Sequence, residues 1–159
     1  VADGGEPASY TWDLEGATSD NMVGVVLAYQ GVDTATPINV SAKVGSPGAS
    51  TTVPGFTTTV DSCMQVAIYA HEGPRTYTPP AGMTERADVQ DGASDHTISA
   101  SDVLLGGAGA VSAKTATPSS NGAVSGAFSI ALQPAVPSVL VIGSPPGLPE
   151  DIAGGFSLG

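Results

Sequence analysis

The chain predicts an all-β fold, an antiparallel β-sandwich of jelly-roll-like character with about eight to nine short strands and an extended C-terminal arm. Three observations carry this. First, 21 glycines and 13 prolines stand among Thr-, Ser-, Val- and Ala-rich stretches, the composition of many short strands joined by tight turns. Second, apolar residues recur with a period of two, and no segment shows helical spacing. Third, these segments follow one another at short, regular intervals with turn residues between them.

In chain order, residues 1–7 read as a polar lead-in. Ala8–Leu14 alternates, with Tyr10, Trp12 and Leu14 on one face, so Trp12, the only tryptophan, is expected as a core anchor. After a turn, Met22–Gln30 is apolar on both faces, as suits a strand in the middle of a sheet. Its odd positions are large, while Gly24 and Ala28 leave room for something bulky on the even face. Gly31, Asp33 and Pro37 end it in a turn. Ile38–Val44 reads as a short strand, 45–50 as a loop, and 50–60, with five threonines, as an extended strand broken at Pro54-Gly55.

Ser62–His71 is the second strong strand, with Met64, Val66, Ile68 and Ala70 on its apolar face. A loop spans 72–82, and Met83–Gln90, polar on one face, is expected at a sheet edge. His96–Leu105, Val111–Thr117 and Ala123–Gln133 complete the set. The last has the cleanest alternation: Val124, Phe128, Ile130 and Leu132 face one way, and Ser125, Ala127, Ser129 and Ala131 the other. Predicted core residues are therefore Trp12, Val25, Leu27, Val66, Ile68, Phe128, Ile130 and Leu132. The lone Cys63 forms no disulfide within the chain and reads as a small buried hydrophobe.

With 159 residues the length suits one domain, divided into a sandwich over 1–134 and a Pro/Gly-rich strand and arm over 135–159. Four basic residues against fifteen acidic ones give a net charge of −11. Such a surface repels nucleic acid and anionic membrane, so neither is an expected partner. No apolar stretch reaches the length of a membrane-spanning helix.

Chemistry-bearing residues do not converge. His71 and His96 stand outside any nucleophile motif, and His71 beside Glu72 reads as a surface histidine rather than a zinc ligand. The acids cluster in turns, and aromatic platforms for a sugar-cleaving cleft are scarce. Asp88, Asp91 and Asp95 flank one turn and Asp33 and Asn39 another, which supplies oxygen ligands of the kind calcium takes. Turn carboxylates more often bond their own backbone, and that is the expectation here. Asn39-Val40-Ser41 matches a glycosylation sequon. Gly106–Gly109 lacks the lysine and helix of a phosphate loop and reads as a turn. No enzymatic activity, cofactor or metal is therefore expected.

Past Pro134 the character changes. Val139, Leu140, Val141 and Ile142 form a short hydrophobic strand between prolines, and Ile152, Phe156 and Leu158 put apolar groups on an extended tail. An arm that docks on a neighbour wants such residues, so these seven are the candidate interaction residues. Two arrangements accommodate them: 136–159 acts as an inter-subunit arm, or 138–142 closes the chain's own sheet and 144–159 alone is loose.

Three stretches also carry a resemblance: Ser9-Tyr10-Thr11-Trp12; Ala28 to Asp33 with Pro37-Ile38-Asn39; and Thr78 to Arg86 with Ile130 to Pro134. Their order and spacing over residues 1–134 resemble a family of β-sandwich domains found in tail, fibre and capsid-surface proteins of tailed bacteriophages, and in related bacterial proteins of unassigned function. Two features depart from the family. Its first matching strand is preceded by more sandwich, and Met83 stands where tryptophan is usual. A processed or incomplete copy, completed by strands from another chain, is the corresponding expectation. The resemblance brings no catalytic residues. It implies a non-enzymatic virion structural protein on a capsid or tail, at the virion surface or extracellular, partnered by other virion proteins and copies of itself. The alternative is a carbohydrate- or receptor-binding module at a fibre tip, taking a surface glycan through Tyr29, Tyr69, Tyr77, Arg75 and the 72–82 loop.

Overall fold

The computed structural model describes residues 5–12, 22–44, 51–91, 96–120 and 125–136. The chain is an antiparallel all-β sandwich. Its strands are β1 (Ile38–Lys43), β2 (Thr52–Val53), β3 (Phe56–Thr58), β4 (Met64–Glu72), β5 (Tyr77–Thr78), β6 (Thr84–Gln90), β7 (His96–Leu104), β8 (Gly109–Val111), β9 (Lys114–Thr115), β10 (Thr117–Pro118) and β11 (Ser125–Leu132). Among the described residues, β1-β11-β4-β7-β6 form one five-stranded sheet, and β2-β9, β3-β8 and β5-β10 form three two-stranded ladders.

β4 is the centre. Residues 64–69 of this strand are β-branched, aromatic or unbranched apolar apart from Gln65, and a strand paired on both edges can bury both faces. One face carries Gln65, Ala67, Tyr69 and His71, all buried. Over it lie the short ladders, and Val53, Tyr77, Met83, Ala116 and Ala127 join Ala67 and Tyr69 in one cluster. Tyr69 and Tyr77 pack at 6.1 Å between ring centroids, and the Tyr69 hydroxyl donates to the Lys114 carbonyl at 3.1 Å. The other face carries Val66 and Ile68, which cluster with Ala100 of β7.

Several expectations are met. β1, the break between β2 and β3 at Pro54-Gly55, the edge position of β6, and β4, β7 and β11 all fall where period two places them. The 72–82 loop gains a two-residue strand, and the 111–117 stretch divides into three short pieces. Cys63 is buried and its thiol contacts the Val60 carbonyl at 3.5 Å.

Four expectations are corrected. Residues 22–30 are not a ladder strand in the middle of the sheet. They cross the second face and join no ladder among the described residues, and Val25, Leu27 and Tyr29 pack down onto Val66, Ile68 and Ala100. The period of two is real, because odd positions turn inward and even positions outward. Residues 8–12 likewise form no strand, and Trp12 is 52% exposed. Its ring lies over Gly24, where an added Cβ would come within 3.0 Å of it; Gly24 thus does admit a bulky group, from outside.

The third correction reverses β11. Its small face, Ala127, Ser129 and Ala131, is the buried one, while Phe128 is 46% exposed and Ile130 and Leu132 are half-buried. Val53 of β2 shares a cluster with Ala127 on the small face, and among the described residues the large face is covered by 22–30. The fourth correction is His71, which is buried rather than at the surface, with Nδ1 against the Glu72 carbonyl.

Candidate functional site

Among the described residues the two faces of the five-stranded sheet are covered unequally, and that asymmetry builds the candidate site. In an antiparallel ladder directly opposed residues point to the same side. The register therefore places Leu104 beside Met64, Ile98 beside Ala70 with Val89 next to it, and Phe128 beside Ile68. At the far edge Ile38 stands beside Leu132. Ile38, Val89, Leu104 and Phe128 are all exposed, and all lie on the face crossed by 22–30. Met22 and Val26 on the outer side of that segment, with Trp12 above Gly24, extend the apolar surface outward. Seven large apolar side chains gathered on one face of a small domain form a patch of the kind that marks an interaction site.

One polar cluster pins the segment to the sheet. Asp102, on the inward face of β7, is 2% exposed. Its Oδ2 accepts from the Tyr29 hydroxyl at 2.9 Å and from Arg86 Nε at 2.8 Å. Arg86 reaches it because β6 bulges between Glu85 and Ala87, taking the arginine out of regular pairing. Burial first, and then the hydrogen bond to Asp102, holds the Tyr29 phenol protonated far above its usual range. The separate hydrogen bond from Arg86 Nε to Asp102 raises the arginine, which stays cationic. A cavity of about 290 Å³ beside the cluster is lined by Leu27, Tyr29, Gln30, Met64, Arg86 and Asp102. The arrangement is a charge-assisted clamp. A carboxylate already holding two donors on one oxygen is poorly placed to act as a free base.

At its open end the segment meets the continuation of β11. Val32 bridges Pro134 in antiparallel sense, with Asp33 N donating to the Gln133 carbonyl at 2.9 Å and Ala135 N to the Gly31 carbonyl at 2.8 Å. Gly31, with φ +71°, takes the left-handed conformation that bends the chain here.

The candidate interaction residues Val139, Leu140, Val141, Ile142, Ile152, Phe156 and Leu158 lie outside the described residues, as does Asp95. The calcium candidates that are described are otherwise engaged. Asp33 Oδ1 caps Ala35 N and Thr36 N, both at 2.8 Å, and these bonds lower its pKa. Asn39 bonds Thr59 through both its amide atoms and also donates to Gln133. Asp88 accepts from Tyr77 N at 2.8 Å, and Asp91 from His96 at 3.2 Å. Among the described residues no three metal-ligating side chains converge.

Of the glycan candidates, Tyr69 and Tyr77 meet, but inside the core, while Tyr29 stands on the other face in the clamp. Sequence reasoning missed Asp102 and Arg86. A signal existed, since Asp102 is an acid on the apolar face of an alternating strand, where a carboxylate needs a partner. Comparison with protein-family models, curated proteins and solved structures finds no match to this chain.

Proposed function

We propose that this protein is a non-enzymatic structural module of a virion surface, carried on the capsid or tail of a tailed bacteriophage and held by contacts with copies of itself and with other virion proteins. The observation that supports it most is the apolar patch around Trp12, Val26 and Phe128 on a chain whose net charge is −11. A strongly acidic exterior keeps such a domain soluble, and a concentrated apolar patch on it suits a subunit interface. The phage assignment rests on the motif resemblance over residues 1–134.

The test is assembly. Size-exclusion chromatography with light scattering, and negative-stain imaging with particles, should show a self-associating or particle-bound protein. Val26→Lys, which alters an outward-facing and exposed position, should abolish that association while leaving the melting temperature unchanged. A stable monomer without affinity for particles would refute the proposal. A fibre-tip module taking a surface glycan is the second reading, and the cavity beside Tyr29, Gln30 and Arg86 favours it. A glycan array without hits removes it.

A further inference from the structure

The Asp102 clamp holds hydrogen-bonding capacity that its structural task leaves unused. Its two bonds, from the Tyr29 hydroxyl and from Arg86 Nε, both fall on Oδ2. Oδ1 receives no bond among the described residues, although a carboxylate oxygen has two lone pairs to fill. Asp102 is 2% exposed, and it lines the cavity of about 290 Å³ beside the clamp. Arg86 commits only Nε to the pair, so its two terminal amines remain as donors. Its side chain is 48% exposed and lines the same cavity. A nearly buried acceptor and a fork of donors thus border one hollow, walled by the apolar Leu27 and Met64 and edged by the exposed Gln30.

We propose that this cavity binds a neutral sugar ring through two neighbouring hydroxyls, one donating to Asp102 Oδ1 and the next accepting from a terminal amine of Arg86. The proposal deepens the glycan reading above and rests on it for the source of the sugar. A hydroxyl both donates and accepts, so adjacent hydroxyls on one ring meet both protein groups at once. The C–H surface of the ring then covers Leu27 and Met64. The volume lies at the low end of ligand pockets, which suits a single ring. A second cavity, also about 290 Å³, shares Tyr29, Gln30 and Met64 with the first and continues to Leu104 and Pro134. The two therefore adjoin, and a sugar chain can seat its next ring there.

Other ligand classes fit this site less well. Arg86 already neutralises Asp102, so the pair offers hydrogen bonds without net charge, and a chain at −11 turns anions away. A metal ion would find one carboxylate oxygen beside a guanidinium, and among the described residues no three metal-ligating side chains converge. A wholly apolar molecule would shut Oδ1 off from water without giving it a donor, which costs free energy.

Amide and arginine Nε–H chemical shifts of the isotope-labelled full chain, titrated with methyl α-mannoside, methyl α-galactoside and methyl α-glucoside, test this on the unaltered protein. At least one glycoside should give saturable shifts at Tyr29, Gln30, Met64 and Arg86. N-acetylneuraminate, an acidic sugar, should leave them unmoved. Arg86→Lys keeps the positive charge but loses the spare fork of donors, and should weaken binding by about tenfold; an otherwise unchanged amide spectrum controls for folding. Silence toward every glycoside at its highest soluble concentration would overturn the proposal. Shifts centred elsewhere, equal binding of the acidic sugar, or undiminished binding to the lysine variant would overturn the site while the glycan reading stands. Glycoside binding at this cavity together with an empty glycan array would uphold the site and remove the surface-glycan reading.

Discussion

Asp102 holds its place through two donors, and removing either side of that arrangement has a measurable cost. Asp102→Ala strands the Tyr29 hydroxyl in a part-buried site and should destabilise the fold by about 1–3 kcal/mol, read from urea denaturation. Alkaline pH acts on the same residue. Burial also raises Tyr69 beyond the ordinary tyrosine range, and burial with the charge of Asp88 pushes Tyr77 up to about 12. In the unfolded chain all three phenols ionise near pH 10. Below that pH their contribution to stability is intact. Above it the unfolded chain loses protons first, so stability should fall until the folded phenols ionise in turn. Melting curves between pH 9 and 12 should show this decline, and Tyr29→Phe should make it shallower. Size at a site matters as much as charge. Tyr69→Ala, at a fully buried position, should cost about 3–5 kcal/mol, whereas Phe128→Ala should cost clearly less in the same assay. Cys63 and Asp33 were legible from sequence because short-range chemistry decides them. Phe128 was not, since what lies above a strand is not written in the strand.

Elements were legible in so far as alternation defines them. β4, β7 and β11 follow from period two, and so does the inward turn of Val25 and Leu27. What alternation cannot supply is ladder membership. An extended segment lying across a sheet and a strand paired inside one bury alternate side chains alike, and they differ only in where their amides bond. That is why 22–30 read as a central strand. The reversed faces of β11 have a related cause: Ala127, Ser129 and Ala131 are small because backbone comes close above them, and closeness of approach selects for small size before it selects for hydrophobicity. The turn between β2 and β3 shows the same constraint. A Cβ at Gly55 would stand 2.4 Å from the Val111 carbonyl oxygen and 3.2 Å from Ala113 N. Because those atoms are backbone, Gly55→Ala should destabilise by about 1–3 kcal/mol, visible as a lowered melting temperature.

At the scale of the whole molecule, the sandwich class was legible, whereas the unequal cover of the two faces among the described residues was not, since it depends on which segments cross the sheet rather than pair within it. The engaged carboxylates carry a prediction here. With Asp33 capping its own turn and Asp88 and Asp91 each holding a donor, a chelator should leave the melting temperature unchanged; a drop of several degrees would reveal a native-state ion. Cys63 offers something else. It is the sole thiol in the chain, it has no exposed surface, and burial with the nearby Asp61 charge raises its pKa. Its main chain ties the start of β4 to the end of β7 through the Leu105 N–H. A thiol reagent can reach it only when the structure around the start of β4 opens. At low reagent the labelling rate follows the population of that open form, and at high reagent it follows the opening rate. The protein thus contains its own stopwatch, set where β4 begins beside the end of β7.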